Sequence, residues 1–184
     1  MNKLYVGLFF LAAYIGTIFA ANYAVDRWGV VSVGFGLVAP AAVYFVGLAF
    51  TFRDIVQVTL GRLAVFLAIL VGAGLSYFVS PTFALASGVA FLVSESSDFI
   101  VFNTLEKRRL FLAVLISGFV GIIIDSLIFL QLAFHNQDFL KGQIVGKTWV
   151  LLLSLPLYFV VKKFVKTRIS GPDSGVSAIM SEAV

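Results

Sequence analysis

Acidic side chains inside apolar stretches are the residues of this sequence best suited to chemistry. Glu95 and Asp98 lie one helical turn apart, and Asp125 stands alone in a second apolar stretch. A charge near the centre of a bilayer costs roughly 2.5–3.5 kcal/mol on insertion scales, so such residues are functional candidates. Each acid could accept hydrogen bonds from a ligand, pair with a buried cation or carry a proton, and the sequence leaves these uses open.

The first acidic stretch predicts a helix over residues 82–105 with one polar face. Helical spacing places two hydroxyls, two carboxylates and an aromatic ring on that face: Ser87, Phe91, Ser94, Glu95 and Asp98. A face of this composition suits a lumen better than lipid. The alternative is that the two acids lie near the cytoplasmic end and reach the membrane interface.

The second acidic stretch carries Ser117, Gly121 and Asp125 at spacings of four, which predicts one stripe of small and polar side chains. Lys147 begins the last apolar stretch and is a candidate ion-pair partner for Asp125. Lys147 could instead extend its ammonium group to the interface. The sequence does not choose between a structural ion pair and a ligand-binding carboxylate.

Further polar candidates lie at the ends of the first two apolar stretches. Arg53, Asp54 and Gln57 follow the second stretch and predict a segment at the cytoplasmic mouth, where they could gate a pathway or only anchor the helix. Asn22 closes the first stretch and is a weaker candidate for substrate binding.

Composition places the chain in a membrane. Hydrophobic residues make up 61% of the sequence, charged residues only 12%, and the mean hydropathy is +1.07. The net charge of +4 does not indicate nucleic acid, because the basic residues sit at span ends and form no stripe with aromatics. The sequence has no cysteine, no HExxH and no phosphate-binding glycine loop, so we expect neither an enzyme nor a cofactor or metal.

Stretches of roughly 20 mainly apolar residues predict six transmembrane helices in an all-α domain over residues 1–168. The predicted spans are Leu4–Ala21, Val30–Phe52, Leu63–Val79, Thr82–Leu105, Leu110–Phe134 and Ile144–Val161. Pro40 falls within the second span and predicts a kink or a broken helix. Residues 169–184 are rich in Ser, Gly and Ala and predict a disordered cytoplasmic tail.

The distribution of basic residues predicts that both termini lie in the cytoplasm. An even number of spans puts both termini on one side, and loops on the cytoplasmic side are enriched in Lys and Arg. With this orientation the cytoplasmic side receives Lys3, Arg53, Arg62, Lys107, Arg108, Arg109, Lys162, Lys163, Lys166 and Arg168. Arg27, Lys141 and Lys147 remain elsewhere.

Several spaced motifs resemble the queuosine-precursor transporter family, also called the vitamin-uptake-transporter-like (VUT) family. They are Ala39-Pro40 leading to Phe52-Arg53-Asp54 and Gly61-Arg62; Ala86-Ser87, Ala90-Phe91-Leu92, Ser94-Glu95 and Asp98; Ser117; Asp125-Ser126, Ile128-Phe129 and Ala133-Phe134; and Lys147 with Leu155-Pro156-Leu157. The resemblance covers most of the chain. Ser117-Gly118 departs from the family's Ser-Asn pair, which removes a hydrogen-bonding side chain at position 118.

The resemblance implies a six-span bacterial inner-membrane protein that imports 7-cyano- or 7-aminomethyl-7-deazaguanine, or a related base. A carboxylate could accept the adjacent N–H donors of the base, an aromatic ring could stack on it, and hydroxyls could reach its exocyclic groups. The implied acceptors are Glu95, Asp98 or Asp125, the stacking rings Phe91 or Phe129, and the hydroxyls Ser87 and Ser94.

Three functional hypotheses remain at this stage. The chain could transport a small molecule alone or as a homodimer. A buried acid that carries a proton could then couple transport to a proton gradient. It could be the substrate-binding subunit of an ATP-driven transporter, since the family resemblance implies a fold like the subunits of energy-coupling-factor vitamin transporters. It could also be a structural membrane anchor, which would tolerate neutral replacement of its buried acids.

Overall fold

The structure is a computed structural model that describes residues 3–105, 110–150, 152–153 and 156. Within these residues the protein is mainly helical, as predicted, with one small antiparallel sheet. The elements in chain order are α1 (Lys3–Trp28), β1 (Val30–Gly34), β2 (Leu37–Pro40), a 3₁₀ helix (Ala41–Phe45), α2 (Val46–Leu60), α3 (Arg62–Tyr77), α4 (Pro81–Leu105), α5 (Leu110–Phe134) and α6 (140–150). The predicted tail at 169–184 lies outside the described residues.

Helix α1 is the element around which the first half of the chain packs. Its buried face repeats every three or four residues, at Val6, Phe10, Tyr14 and Ile18, as one face of a helix must. This face meets apolar side chains of α2 and α3 and forms a core with them. At 26 residues, α1 is roughly 39 Å long, which exceeds the roughly 30 Å of a bilayer's hydrocarbon core.

The prediction of a span beginning at Val30 is wrong, because Val30–Gly34 and Leu37–Pro40 form an antiparallel hairpin. Gly29 ends α1 with a φ of +62°, and its N–H donates to the carbonyl of Val25 at 2.8 Å. The hairpin turns at Phe35 and Gly36, whose φ values of 54° and 73° are those of a two-residue turn that fits the twist of paired strands.

The helix of the second predicted span therefore begins at the 3₁₀ helix, after Pro40. Pro40 is the last residue of β2 and directly precedes that helix, so it starts a helical segment and does not kink one. Helix α2 then continues to Leu60, beyond the predicted end at Phe52. Arg53, Asp54 and Gln57 consequently lie within a helix and not after one.

Two glycines allow the hairpin to pack directly on α6. A Cβ on Gly142 would collide with the carbonyl of Val38 in β2, and a Cβ on Gly146 would come within 2.7 Å of Val43 in the 3₁₀ helix. The Tyr44 hydroxyl donates to the carbonyl of Ser32 at 2.6 Å and ties the 3₁₀ helix to β1. Because the glycines sit one turn apart, the packing fixes the rotation of α6 about its axis.

Three helical segments of the described residues are long and apolar enough to cross a membrane: Lys3–Trp28, Ala41–Leu60 and Ile116–Phe134. Helix α3 is apolar but shorter. Large apolar side chains on α3 are widely exposed, among them Leu63 at 71%, which suits contact with lipid. Six crossings and the cytoplasmic position of both termini stay predictions.

The orientation can be tested with single cysteines, since the sequence contains none. Phe35→Cys lies at the exposed hairpin tip, and Arg62→Cys lies at the opposite end, where α3 begins. We expect a membrane-impermeant maleimide to label Phe35→Cys in intact cells and Arg62→Cys only after permeabilisation. The reverse pattern would contradict the predicted orientation.

Replacement of Gly142 should loosen the hairpin from α6. We expect Gly142→Ala to destabilise the protein by about 1–3 kcal/mol, because the added methyl group meets backbone that cannot easily move. Thermal unfolding in detergent measures the effect. Gly74→Ala is the control, since a Cβ at Gly74 in α3 meets nothing within 4 Å; equal midpoints for both variants would argue against the close packing.

Candidate functional site

A cavity lies within the helices on the side of the hairpin, and we call it the outer cavity. The open space in and around it, including the mouth, is about 670 Å³. Most of its wall is apolar, with a few polar groups from different helices. Those polar groups and the two candidate stacking rings are Asn22, Ser87, Phe91, Asp125, Phe129, Gln143 and Lys147, together with Thr17.

Asn22 connects three helices at the wall of this cavity. Its Nδ2 lies 2.9 Å from Oγ of Ser87 on α4, 3.1 Å from Oγ of Ser76 on α3 and 3.2 Å from the carbonyl of Ile18. Asn22 is only 2% exposed. All of these contacts use the amide nitrogen, so Oδ1 of Asn22 is left as a hydrogen-bond acceptor.

An ion pair between α5 and α6 forms the charged part of the outer cavity. The Lys147 ammonium donates to Oδ2 of Asp125 and, at 2.9 Å, to Oγ of Ser126. The Lys147 residue is 5% exposed, and 22% of the Asp125 side chain is exposed. The pair is therefore largely removed from solvent, and the exposed part of Asp125 belongs to the cavity wall.

A second cavity, the inner cavity, lies around Arg53 on α2. Arg53 donates to Oδ1 of Asp54 from Nε at 3.0 Å and from Nη2 at 2.9 Å, and its Nη1 donates to Glu95 on α4. Its guanidinium also lies 4.8 Å from the centroid of the Phe50 ring. The Arg53 side chain is only 17% exposed, so it is not a freely solvated interfacial anchor.

The two cavities share part of their walls. Val46, Phe91, Asp125 and Lys147 contribute to both. The polar face predicted on α4 is divided between them, because Ser87 belongs to the outer cavity whereas Ser94 and Glu95 belong to the inner one. A molecule moving from one cavity to the other would therefore pass Phe91 and the Asp125–Lys147 pair.

Some candidates from the sequence are not brought into these walls. Gln57 lines neither cavity, and its carbonyl accepts the N–H of Gly61 at 3.0 Å, at the end of α2. Ser117 is buried at 3% exposure but lines neither cavity, whereas Gly121 of the same stripe lines the inner one. Asp98 lies on α4, but its side chain is outside the described residues.

Three buried residues near the cavities escaped sequence reasoning. Ser76 and Gln143 lie near the ends of predicted spans, where polar residues are ordinary, so only the packing shows that they are buried at 0% and 3% exposure. Tyr14 counts as an apolar residue in the hydropathy pattern, yet its hydroxyl is buried and finds no hydrogen-bond partner among the described residues. Its ring lies 6.5 Å from that of Phe91, centroid to centroid.

The chemistry available at the outer cavity is recognition of a polar, flat molecule. Paired charges, amides and hydroxyls can donate and accept hydrogen bonds, and the rings of Phe91 and Phe129 offer stacking surfaces. Among the described residues, no group of three or more His, Cys, Asp or Glu side chains is placed to hold a metal ion.

Comparison with known proteins gives a match to a protein family. Residues 76–161 match a family described as "Putative vitamin uptake transporter", and this segment includes α4, α5 and the described part of α6. No curated protein and no solved structure matches the chain. The match covers just under half of the sequence and supports a vitamin-type uptake transporter, which together with the apolar helices indicates a multi-pass membrane protein.

The Asp125–Lys147 pair can be tested as a buried ion pair. Asp125→Asn leaves the Lys147 ammonium without its counter-ion, which typically costs about 3–5 kcal/mol, so we expect a clear fall in thermal stability. The double variant Asp125→Asn/Lys147→Met should recover most of this loss, because no unpaired charge remains. Asp26→Asn changes an exposed acid and serves as the control. A double variant no more stable than Asp125→Asn would contradict the pairing.

Proposed function

We propose that this chain is a membrane transporter of the VUT family that imports a queuosine precursor, 7-cyano-7-deazaguanine or 7-aminomethyl-7-deazaguanine, or a related deazapurine. The observation that supports it best is the outer cavity, where polar groups from α1, α4, α5 and α6 meet inside an apolar helical bundle. The match of residues 76–161 supports vitamin-type uptake, and the spaced motifs resembling the family point to the deazapurine.

The hydrogen-bonding groups of the outer cavity suit the donors of such a base. Lys147 binds Oδ2 of Asp125, so Oδ1 is the carboxylate oxygen left to accept an N–H of the substrate. Oδ1 of Asn22, on α1, offers a second acceptor in the wall of the same cavity. With Lys147 on Oδ2, a single hydrogen bond to Oδ1 is the simplest arrangement in this proposal.

The charge balance of the outer cavity favours an uncharged base. Among the described residues that line it, the ionisable ones are Asp125 and Lys147, which neutralise one another. In the inner cavity, by contrast, Glu95 and Asp54 share the single guanidinium of Arg53, so the excess of negative charge lies there and not in the outer cavity. Bringing that cation into the outer cavity would add an uncompensated charge in a poorly solvated place. The 7-cyano base is therefore the better substrate in this proposal.

The aromatic side chains provide the apolar part of recognition. Phe91 and Phe129 belong to neighbouring helices and both line the outer cavity. A fused heterocycle can stack on a phenyl ring with its hydrogen-bonding edge turned towards Asp125 and Asn22. Both rings are held by aromatic neighbours, Phe91 by Tyr14 and Phe129 by Phe134, which limits their freedom before the substrate arrives.

The transport path in this proposal leads from the outer to the inner cavity. Phe91, Asp125 and Lys147 border both, so small movements of these side chains would connect them. Beyond them, Arg53 links α2 to Glu95 on α4 and closes the way towards the cytoplasm in the predicted orientation. Release of the substrate then requires α2 and α4 to separate, with Asp54 retaining Arg53.

Uptake of labelled deazapurines tests the function directly. Cells unable to make queuosine precursors should accumulate labelled 7-cyano-7-deazaguanine saturably when they express the chain, and 7-aminomethyl-7-deazaguanine less efficiently. We expect Asp125→Asn/Lys147→Met to lower uptake efficiency roughly 10- to 100-fold, since a hydrogen bond to a charged group contributes about 1.5–3 kcal/mol. Asp26→Asn, at matched expression, should transport like the parent. No uptake by the well-expressed parent would reject these substrates.

An assay with purified protein in liposomes distinguishes a self-sufficient transporter from a subunit of a larger transporter. Uptake into vesicles containing only this chain supports a self-sufficient transporter, with or without dimerisation. Binding without uptake would instead support the substrate-binding subunit of an ATP-driven transporter, because the sequence has no nucleotide-binding loop. Neither binding nor uptake would favour a structural anchor. A protonophore that abolishes cellular uptake would indicate proton coupling.

A further inference from the structure

Gln143 is a buried amide in the wall of the outer cavity whose role the proposed transport path leaves unassigned. It lies on α6, one turn before Lys147, and is 3% exposed. In the part of the chain that the structure describes, its Oε1 is buried and has no hydrogen-bond partner. A buried amide oxygen without a donor is unfavourable, so the position demands an explanation.

A role in holding the fold together does not account for this side chain. The contact between α6 and the hairpin is made at Gly142 and Gly146, the residues adjacent to Gln143 and Lys147. The backbone N–H of Gln143 donates to the carbonyl of Phe139 at 2.8 Å, which forms the first turn of α6 without the side chain. An apolar side chain of similar length would fill the same space without burying an unpaired oxygen.

The rotation of α6 about its axis places Gln143 where it can contact a substrate in the outer cavity. Because Gln143 and Lys147 are four residues apart, they share one face of the helix, and both line the outer cavity. Asp125 accepts hydrogen bonds through its free oxygen but has no hydrogen to donate when ionised. A primary amide differs from it by offering a donor and an acceptor side by side.

We propose that Gln143 is a specificity-determining residue that binds the lactam edge of the transported base. A lactam presents a carbonyl oxygen next to an N–H, which is the complement of a side-chain amide. Nε2 of Gln143 donates to the carbonyl and Oε1 accepts the N–H; a half-turn about the terminal torsion brings either order into register. This assignment rests on the proposed function, since it presumes a base in the outer cavity.

The division of roles has a consequence for selectivity. Asp125 and Asn22 supply acceptors for N–H groups, which many heterocycles offer. Only Gln143, in this assignment, recognises the pairing of a carbonyl with a neighbouring N–H. A base lacking the carbonyl leaves the amide unpaired once more, and sites built around a polar partner reject such analogues strongly.

The test compares two ligands and two variants of the full-length purified protein. The ligands are 7-cyano-7-deazaguanine and its analogue without the 6-oxo group, 2-amino-7-cyano-7-deazapurine. Gln143→Met removes the amide at nearly the same length. Gln137→Met is the control for ligand binding, because Oε1 of Gln137 also has no partner among the described residues but Gln137 does not line the outer cavity. It is not a control for stability, since Nε2 of Gln137 donates to the carbonyl of Leu127 and to Oε1 of Gln131.

We expect the parent to bind the 6-oxo base at least tenfold more tightly than the analogue. Gln143→Met should lose roughly tenfold in affinity for the 6-oxo base, keep its affinity for the analogue within about twofold, and unfold at a temperature no lower than the parent's. Gln137→Met should bind both ligands like the parent. A purely structural role for Gln143 would not produce a loss of discrimination between the two ligands without a loss of thermal stability.

Other outcomes overturn the inference in distinguishable ways. If the parent binds the 6-oxo base and Gln143→Met binds it equally well, the role of Gln143 is wrong while the proposed function stands. If Gln143→Met weakens both ligands alike and lowers the unfolding temperature, the residue is structural. If the folded parent binds no deazapurine, the proposed function fails and this inference fails with it.

Discussion

The ion pair between Asp125 and Lys147 is the constraint on which the rest of the structure depends. Two charges removed from solvent are tolerable only while each satisfies the other, so α5 and α6 must stay in contact at this level. Ser126 adds a hydrogen bond to the same ammonium group and holds it against α5. The pair lines both cavities and places a charged group where their walls meet.

The hairpin gives α6 the orientation that this ion pair requires. Gly142 and Gly146 bring β2 and the 3₁₀ helix against one side of α6, and the neighbouring positions Gln143 and Lys147 consequently face the outer cavity. Phe35 at the hairpin tip stacks on Trp149, with ring centroids 6.3 Å apart, and extends the contact along the helix. Residues that touch no substrate in our proposal thus position those that do.

Polar connections join the helices of the bundle at two levels, which the proposed transport path uses. Asn22 links α1 to α3 and α4 beside the outer cavity, while Arg53 links α2 to α4 beside the inner one. The shared wall of Phe91, Asp125 and Lys147 lies between these links. A bundle joined at both levels can open one end while the other stays closed, which a transporter needs.

Composition and spacing alone determined that this is a helical membrane protein with acids on interior faces. A charged side chain facing lipid is costly, so acids within apolar helices are expected to face the interior of the bundle. The tertiary structure decided which partners those acids have: Lys147 and Asp125 are 22 positions apart, and Arg53 and Glu95 are 42 apart. It also decided that residues 30–40 form a hairpin, since a short apolar run with glycines suits a strand pair as well as a span. Only the burial of Gln143 and Ser76 in the structure identifies them as interior polar residues, because hydrophobic periodicity does not indicate which helices pack together.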